Sequence, residues 1–144
     1  MNQIKCYIKK IHNRLDASFN RTLQNYELTS TQFDILAYLA EDAESRSTLT
    51  DIAAHFGVKH TSAIHVLKVL EKKGFIEKNK SSDARSKIIT LTGLGQQIIE
   101  AVRNKEPCVN KIVFAGLSES EQQLLEKMLH KIYQNIESND FEDL

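Results

Sequence analysis

Ile4, Ile8, Ile11, Leu15, Phe19, Leu23 and Tyr26 recur at three- and four-residue steps, which lines them along one slowly drifting stripe of a long helix. Leu28-Thr29-Ser30-Thr31-Gln32 follows. Thr29 is placed there to cap a second helix, and Gln32 to reach back as the other half of a capping box. Phe33, Leu36 and Ala40 repeat as that helix's core face. After a polar stretch from Glu41 to Thr48, the spacing of Leu49, Ile52, Ala53 and Phe56 predicts a short helix with Thr50 as its cap. Gly57 ends it by supplying the left-handed conformation of a tight turn, and a further helical pattern runs from Lys59 to Lys73. On this helix Ala63, Val66, Leu67 and Leu70 fall on one face, which predicts core. Thr61, His65, Lys68 and Lys72 form a second face of hydrogen-bonding and positively charged groups.

Beyond Gly74 the pattern turns strand-like: Phe75-Ile76-Glu77-Lys78, a polar tip Ser81-Ser82-Asp83-Ala84-Arg85-Ser86, then Lys87-Ile88-Ile89-Thr90-Leu91-Thr92. Two short strands around a polar loop make a hairpin. Helical patterning returns from Leu94 to Val102 and from Ile112 to Leu117, with Pro107 marking a break between them. Ser118 and Glu121 form a second capping box, ahead of an apolar stripe of Leu125, Met128, Leu129, Ile132 and Ile136. Two helices around a glycine turn, followed by a hairpin, are a winged helix-turn-helix. The fold class is mainly α with a small β-hairpin wing (α+β).

At 144 residues, 41% of them hydrophobic and 26% charged, the chain has the size and composition of one soluble globular domain. No apolar run approaches the roughly 18 residues of a membrane span. The first residues, MNQIKCYIKKIHNRL, interrupt their apolar positions with Lys, Asn and Arg, so a secretory signal is not expected and a cytoplasmic location is. Cys6 and Cys108 form no CxxC pair and suggest no disulfide framework. The net charge is zero, but it is unevenly spread. Between Lys59 and Lys87 eight basic residues face three acidic ones, a local +5, whereas from Ser118 to Leu144 two basic residues face seven acidic, a local −5. A polyanion would meet the middle of the chain, because phosphates respond to the local field. There is no nucleophile elbow, glycine-rich phosphate loop or HExxH, so neither an enzyme nor a cofactor site is expected.

The strings Leu28-Thr29-x-x-Gln32-Phe33-x-Ile35-Leu36, Leu49-Thr50-x-Ile52-Ala53, Leu70-Glu71-Lys72-Lys73-Gly74-Phe75-Ile76, Asp83-x-Arg85-Ser86 and Leu91-Thr92-x-x-Gly95 occur in an order and spacing that resemble the MarR family of bacterial transcription regulators. The resemblance covers residues 28–117 well and the terminal helices more loosely. It implies a homodimer whose first and last helices interlock, with residues 1–28 and 94–144 forming the dimerisation layer and residues 29–93 the DNA-binding region. The implied function is a repressor that binds a pseudo-palindromic operator in double-stranded DNA and is released by a small-molecule effector or an oxidant. By the same resemblance, Lys59, His60, Thr61, Ser62 and His65 face base edges and phosphates, and Lys68, Lys72 and Lys87 contact phosphates. On the wing, beside Ser86, Arg85 reaches the minor groove and Asp83 holds it in place. His65 stands where an arginine is common and Gly93 where a charged residue is. Since histidine lacks the arginine fork to guanine, base preference is not transferable from relatives.

His60 and His65 are five apart, off the i, i+4 step of a helical metal pair, and no metal site is expected. The same resemblance makes Cys6, near the start of the first helix, the candidate redox residue for peroxide sensing. Its helical phase, however, is opposite the Ile4-Ile8-Ile11 stripe, and only Lys5, Tyr7 and Lys9 stand beside it. A winged domain that docks an acidic protein through its basic face is the alternative from another functional class.

Overall fold

The computed structural model describes residues 2–42, 44, 46–80 and 86–139. Its element order is α1 (Gln3–Gln24), α2 (Ser30–Glu41), α3 (Leu49–Phe56), α4 (His60–Lys72), β1 (Ile76–Lys80), β2 (Lys87–Leu91), α5 (Gly93–Arg103), α6 (Glu106–Val113) and α7 (Glu119–Glu137). Two compact units result, Met1–Asn104 and Lys105–Leu144.

In the first unit, local chemistry sets the helix starts. Thr29 accepts from the Gln32 N–H at 3.2 Å while its own N–H donates to Gln32 Oε1 at 3.1 Å, the reciprocal box expected from the sequence. Helix α3 departs from expectation: its cap is Thr48, not Thr50. The Thr48 N–H donates to Asp51 Oδ2 at 2.9 Å and the Asp51 N–H to Thr48 Oγ1 at 3.3 Å, so the acidic residue three places on selects the earlier threonine. Gly57, at φ 62°, ψ 33°, turns the chain between α3 and α4 in the left-handed region that disfavours any side chain with a Cβ.

The core joins every element of this unit. Leu23 from α1, Leu36 from α2, Ile52 from α3, Leu67 and Leu70 from α4, Ile76 and Ile89 from the hairpin, and Ile99 from α5 are all buried in one cluster. Val66 packs against it half-buried. The strands pair antiparallel with Ile76 opposite Leu91 and Lys80 opposite Lys87, so β1 runs two residues beyond the strand read from the sequence.

Two polar devices fix the hairpin. At the end of α2, Asp42 Oδ2 accepts from the N–H groups of Arg46 and Ser47, both at 3.0 Å, and from Ser47 Oγ at 2.7 Å. The Ser47 carbonyl in turn accepts from the Ile89 N–H at 2.8 Å, so one carboxylate anchors the chain that edges β2. These hydrogen bonds, led by the Ser47 hydroxyl, hold the Asp42 carboxyl below its ordinary pKa. On the other side, Thr92 caps α5 by accepting from the Gly95 N–H, and its hydroxyl donates to the Gly74 carbonyl at 2.6 Å. A Cβ on Gly95 would collide with the Phe75 carbonyl oxygen. The Leu91-Thr92-x-x-Gly95 string is therefore a packing requirement: α5 starts flush against the turn that opens the wing.

The second unit is a helix pair. Pro107 sits in the first turn of α6, where a missing N–H costs nothing. The helix then ends at Val113, and Gly116 at φ 84° turns the chain. Ile112–Leu117 is thus a helix end and turn, not the continuous helix its apolar residues predicted. Ser118 and Glu121 form the expected capping box of α7.

Candidate nucleic-acid interface

Helix α4 is divided lengthwise. Ala63, Leu67 and Leu70 are buried, whereas Thr61, His65, Lys68 and Lys72 are exposed in line along the opposite side. The inward residues hold the helix against the core, so the outward ones carry little packing duty. Lys59, His60 and Ser62 are exposed as well. All seven residues of this stretch that the resemblance assigns to DNA contact therefore reach solvent on one structural element.

Its N-terminus, like that of α6 at Lys105, has no side-chain cap. Helices α2, α3, α5 and α7 begin on a threonine or serine whose side chain accepts from the first turn. Helix α4 begins on Lys59, which makes no side-chain cap hydrogen bond. The first N–H groups of a helix lack intrahelical acceptors and carry the positive end of the helix dipole. Here they open beside a lysine at a solvent-facing end, a setting suited to a phosphate oxygen. His60 lies in this turn with Nε2 3.4 Å from Thr50 Oγ1. Thr50, read as a cap, instead stands beside α4 as a second hydroxyl at its start. The Thr48-x-x-Asp51 spacing carried the signal that would have released Thr50 from the capping role.

On the hairpin, Lys87 and Lys80 are exposed and paired across the strands, and Lys78 is half-buried opposite Ile89. Ser86 is half-buried. Asp83 and Arg85 lie outside the described residues. Lys73, at the end of α4, donates to the Glu27 carbonyl, and Glu27 is the one described non-glycine residue with positive φ, 55°. The corner between α1 and α2 is thereby tied to the end of α4, a link that nothing in the hydrophobic pattern signalled.

Among the described residues no group of three or more His, Cys, Asp or Glu is arranged to hold a metal ion. Cys6 is half-buried and Cys108 exposed, both as free thiols. No described helix is long and apolar enough to cross a membrane.

Known proteins match this arrangement. The family model of transcriptional regulators SarA/Rot matches residues 17–102. The HTH-type transcriptional repressor IacR of Pseudomonas putida is 24% identical over 133 residues, covering 92% of this chain and 78% of the repressor. A MarR family protein from Bacillus stearothermophilus superposes with a TM-score of 0.78 at 22% identity, over 93% of each chain. The MepR–DNA complex of Staphylococcus aureus superposes with a TM-score of 0.70 at 22% identity, covering 94% of this chain and 99% of that one. The winged helix-turn-helix and the likeness to MarR regulators read from the sequence hold in three dimensions.

Proposed function

Because the chain belongs to the SarA/Rot family of transcriptional regulators, we propose that it binds duplex DNA as a homodimer, inserting α4 into the major groove of each half of a pseudo-palindromic operator. The observation that carries this reading is the exposed line Thr61, His65, Lys68 and Lys72 below a helix start left open by Lys59. Hydroxyl, imidazole and ammonium groups along one helix side match the mixture of base edges and phosphates in a major groove. Lys59, His60, Thr61, Ser62 and His65 read bases and position the helix. Lys68, Lys72 and Lys87 contact phosphates, Ser86 joins them at the base of the wing, and Asp83 and Arg85 complete the wing contact.

The homodimer rests on the apolar faces at the chain's two ends. On α1 Ile4, Ile8, Ile11 and Leu15 are exposed, and on α7 Leu124, Met128, Leu129, Ile132 and Ile136 are. Within the second unit, Phe114, Leu125, Leu129 and Tyr133 line an open cavity of about 650 Å³. Stripes of this length on helices need a covering surface, and a twofold partner supplies the same stripes in return. We assign residues 1–28 and 94–144 to this dimerisation layer and residues 29–93 to DNA binding. The protein acts in the cytoplasm as a repressor. A small-molecule effector or an oxidant acting at Cys6 releases it by shifting the dimer away from the spacing that fits adjacent grooves.

Fluorescence anisotropy with the intergenic DNA beside the gene tests the DNA reading. Sequence-selective binding that weakens steeply with salt is expected. Absence of such binding would overturn it and leave the basic face as a dock for an acidic protein.

A further inference from the structure

Between α2 and α3 lies an open cavity of about 450 Å³. Its walls combine three carboxylates, Asp34, Glu41 and Asp42, with the rings of Tyr38, His55 and Phe56, and no lysine or arginine lines it. The rings form one connected cluster. Tyr38 and His55 lie with centroids 4.4 Å apart, His55 meets Phe56 edge-on at 4.8 Å, and Tyr38 meets Phe56 at 5.8 Å.

The carboxylates are not equivalent. Asp42 is committed to Ser47 and Arg46 through Oδ2, and Glu41 lies 3.6 Å from Arg103 in an exposed pair. Asp34 has no hydrogen bond or ion pair among the described residues, and partial burial raises its carboxyl above its ordinary pKa. A carboxylate without a counter-charge among the described residues, beside aromatic rings, is complementary to a cation that itself sheds water readily. A quaternary or aryl-substituted ammonium does so, and its methyl groups pack on aromatic faces, whereas a metal ion or a free lysine ammonium stays hydrated.

We propose that the α2–α3 cavity is a binding site for small organic cations, with Tyr38, His55 and Phe56 enclosing the alkylated nitrogen and Asp34 supplying the counter-charge. The site lies wholly within the winged unit and includes none of the side chains named as DNA contacts. It stands or falls independently of the operator reading, because binding is measured without DNA.

The experiment compares (4-hydroxyphenyl)trimethylammonium with its uncharged carbon isostere, 4-tert-butylphenol, titrated at pH 7 into the full-length protein. Ring-proton NMR shifts of Tyr38, His55 and Phe56 are the readout. The ammonium should saturate these signals with at least tenfold higher affinity than the isostere. Asp34→Asn should weaken it about fivefold or more, with no change in melting temperature, since Asp34 is exposed at the surface of α2. His55→Ala, on an equally exposed position, should weaken it similarly. Equal affinity for the two probes, shifts confined to other residues, or an Asp34→Asn variant that binds as the parent does would each overturn the proposal.

Discussion

Helices α4 and α7 both present a long face to solvent, and the two faces are opposite in chemistry. On α4 the exposed line is Thr61, His65, Lys68 and Lys72, while its leucines are buried. On α7 the apolar residues themselves are outside: Met128 is 50% exposed, Ile136 52% and Leu124 56%. The starts of the helices differ too, since α7 is closed by the Ser118–Glu121 box and α4 is open at Lys59. A polar face on a well-packed helix is stable in water and free to meet a charged, hydrated ligand. An apolar stripe is complete only when another apolar surface covers it. The local charges agree, positive around α4 and its wing and negative from Ser118 onward, so DNA is attracted to one region and repelled by the other.

That contrast predicts separable effects. The largest should follow from Leu129→Glu combined with Ile132→Glu: buried carboxylates at the stripe would weaken self-association at least about a hundredfold by sedimentation velocity. Circular dichroism should remain helical. An intact dimer would show that α7 is not the contact.

Next in size, Lys59→Ala with His65→Ala should lower operator affinity by about ten- to a hundredfold, since a specific base contact is worth about 1–3 kcal/mol. Self-association should be unchanged, and if both properties fell together the two faces would not be separate devices. Lys68→Ala should reduce affinity only a few-fold, for all sequences alike. It should lower the slope of log K against log salt by about 1, the signature of one lost phosphate contact. A change in sequence preference instead would move Lys68 to the base-reading set.

The smallest effect should come from the scaffold behind α4. Asp42→Asn weakens the hydrogen bonds to Ser47 and Arg46 and should cost about 1 kcal/mol in denaturant unfolding. The Asp42 pKa is lower folded than unfolded, so its contribution is fully present above the ordinary carboxylate pKa. It is lost as pH falls through the lowered folded value. The parent should therefore lose more stability than the variant on moving from pH 6 to pH 3, and parallel acid curves would refute the assignment.

Periodicity made most of the fold legible. The stripes of α1 and α7, the inward residues of α4, the Gly57 turn and the strand pairing all follow from helical and strand spacing together with turn chemistry. Failures came where two local signals compete. Thr48 and Thr50 are both able to cap, and Asp51 decides between them. Ile112–Leu117 is apolar but holds Gly116, and the backbone preference wins. The exposed line of α4 was legible because its positions are those the core does not claim. The Asp42–Ser47 anchor, the Lys73–Glu27 tie and the α2–α3 cavity were not, since each joins residues that only the folded chain brings together.

The lengthwise division of α4 also bears on how such a regulator changes over evolutionary time. Ala63, Leu67 and Leu70 answer to the core alone, while His60 and His65 answer to whatever lies outside. On the DNA-binding reading proposed above, substitutions at the two histidines would rewrite which operators are chosen without disturbing the scaffold. Lineages can thus drift apart in the genes they govern while remaining superimposable in shape.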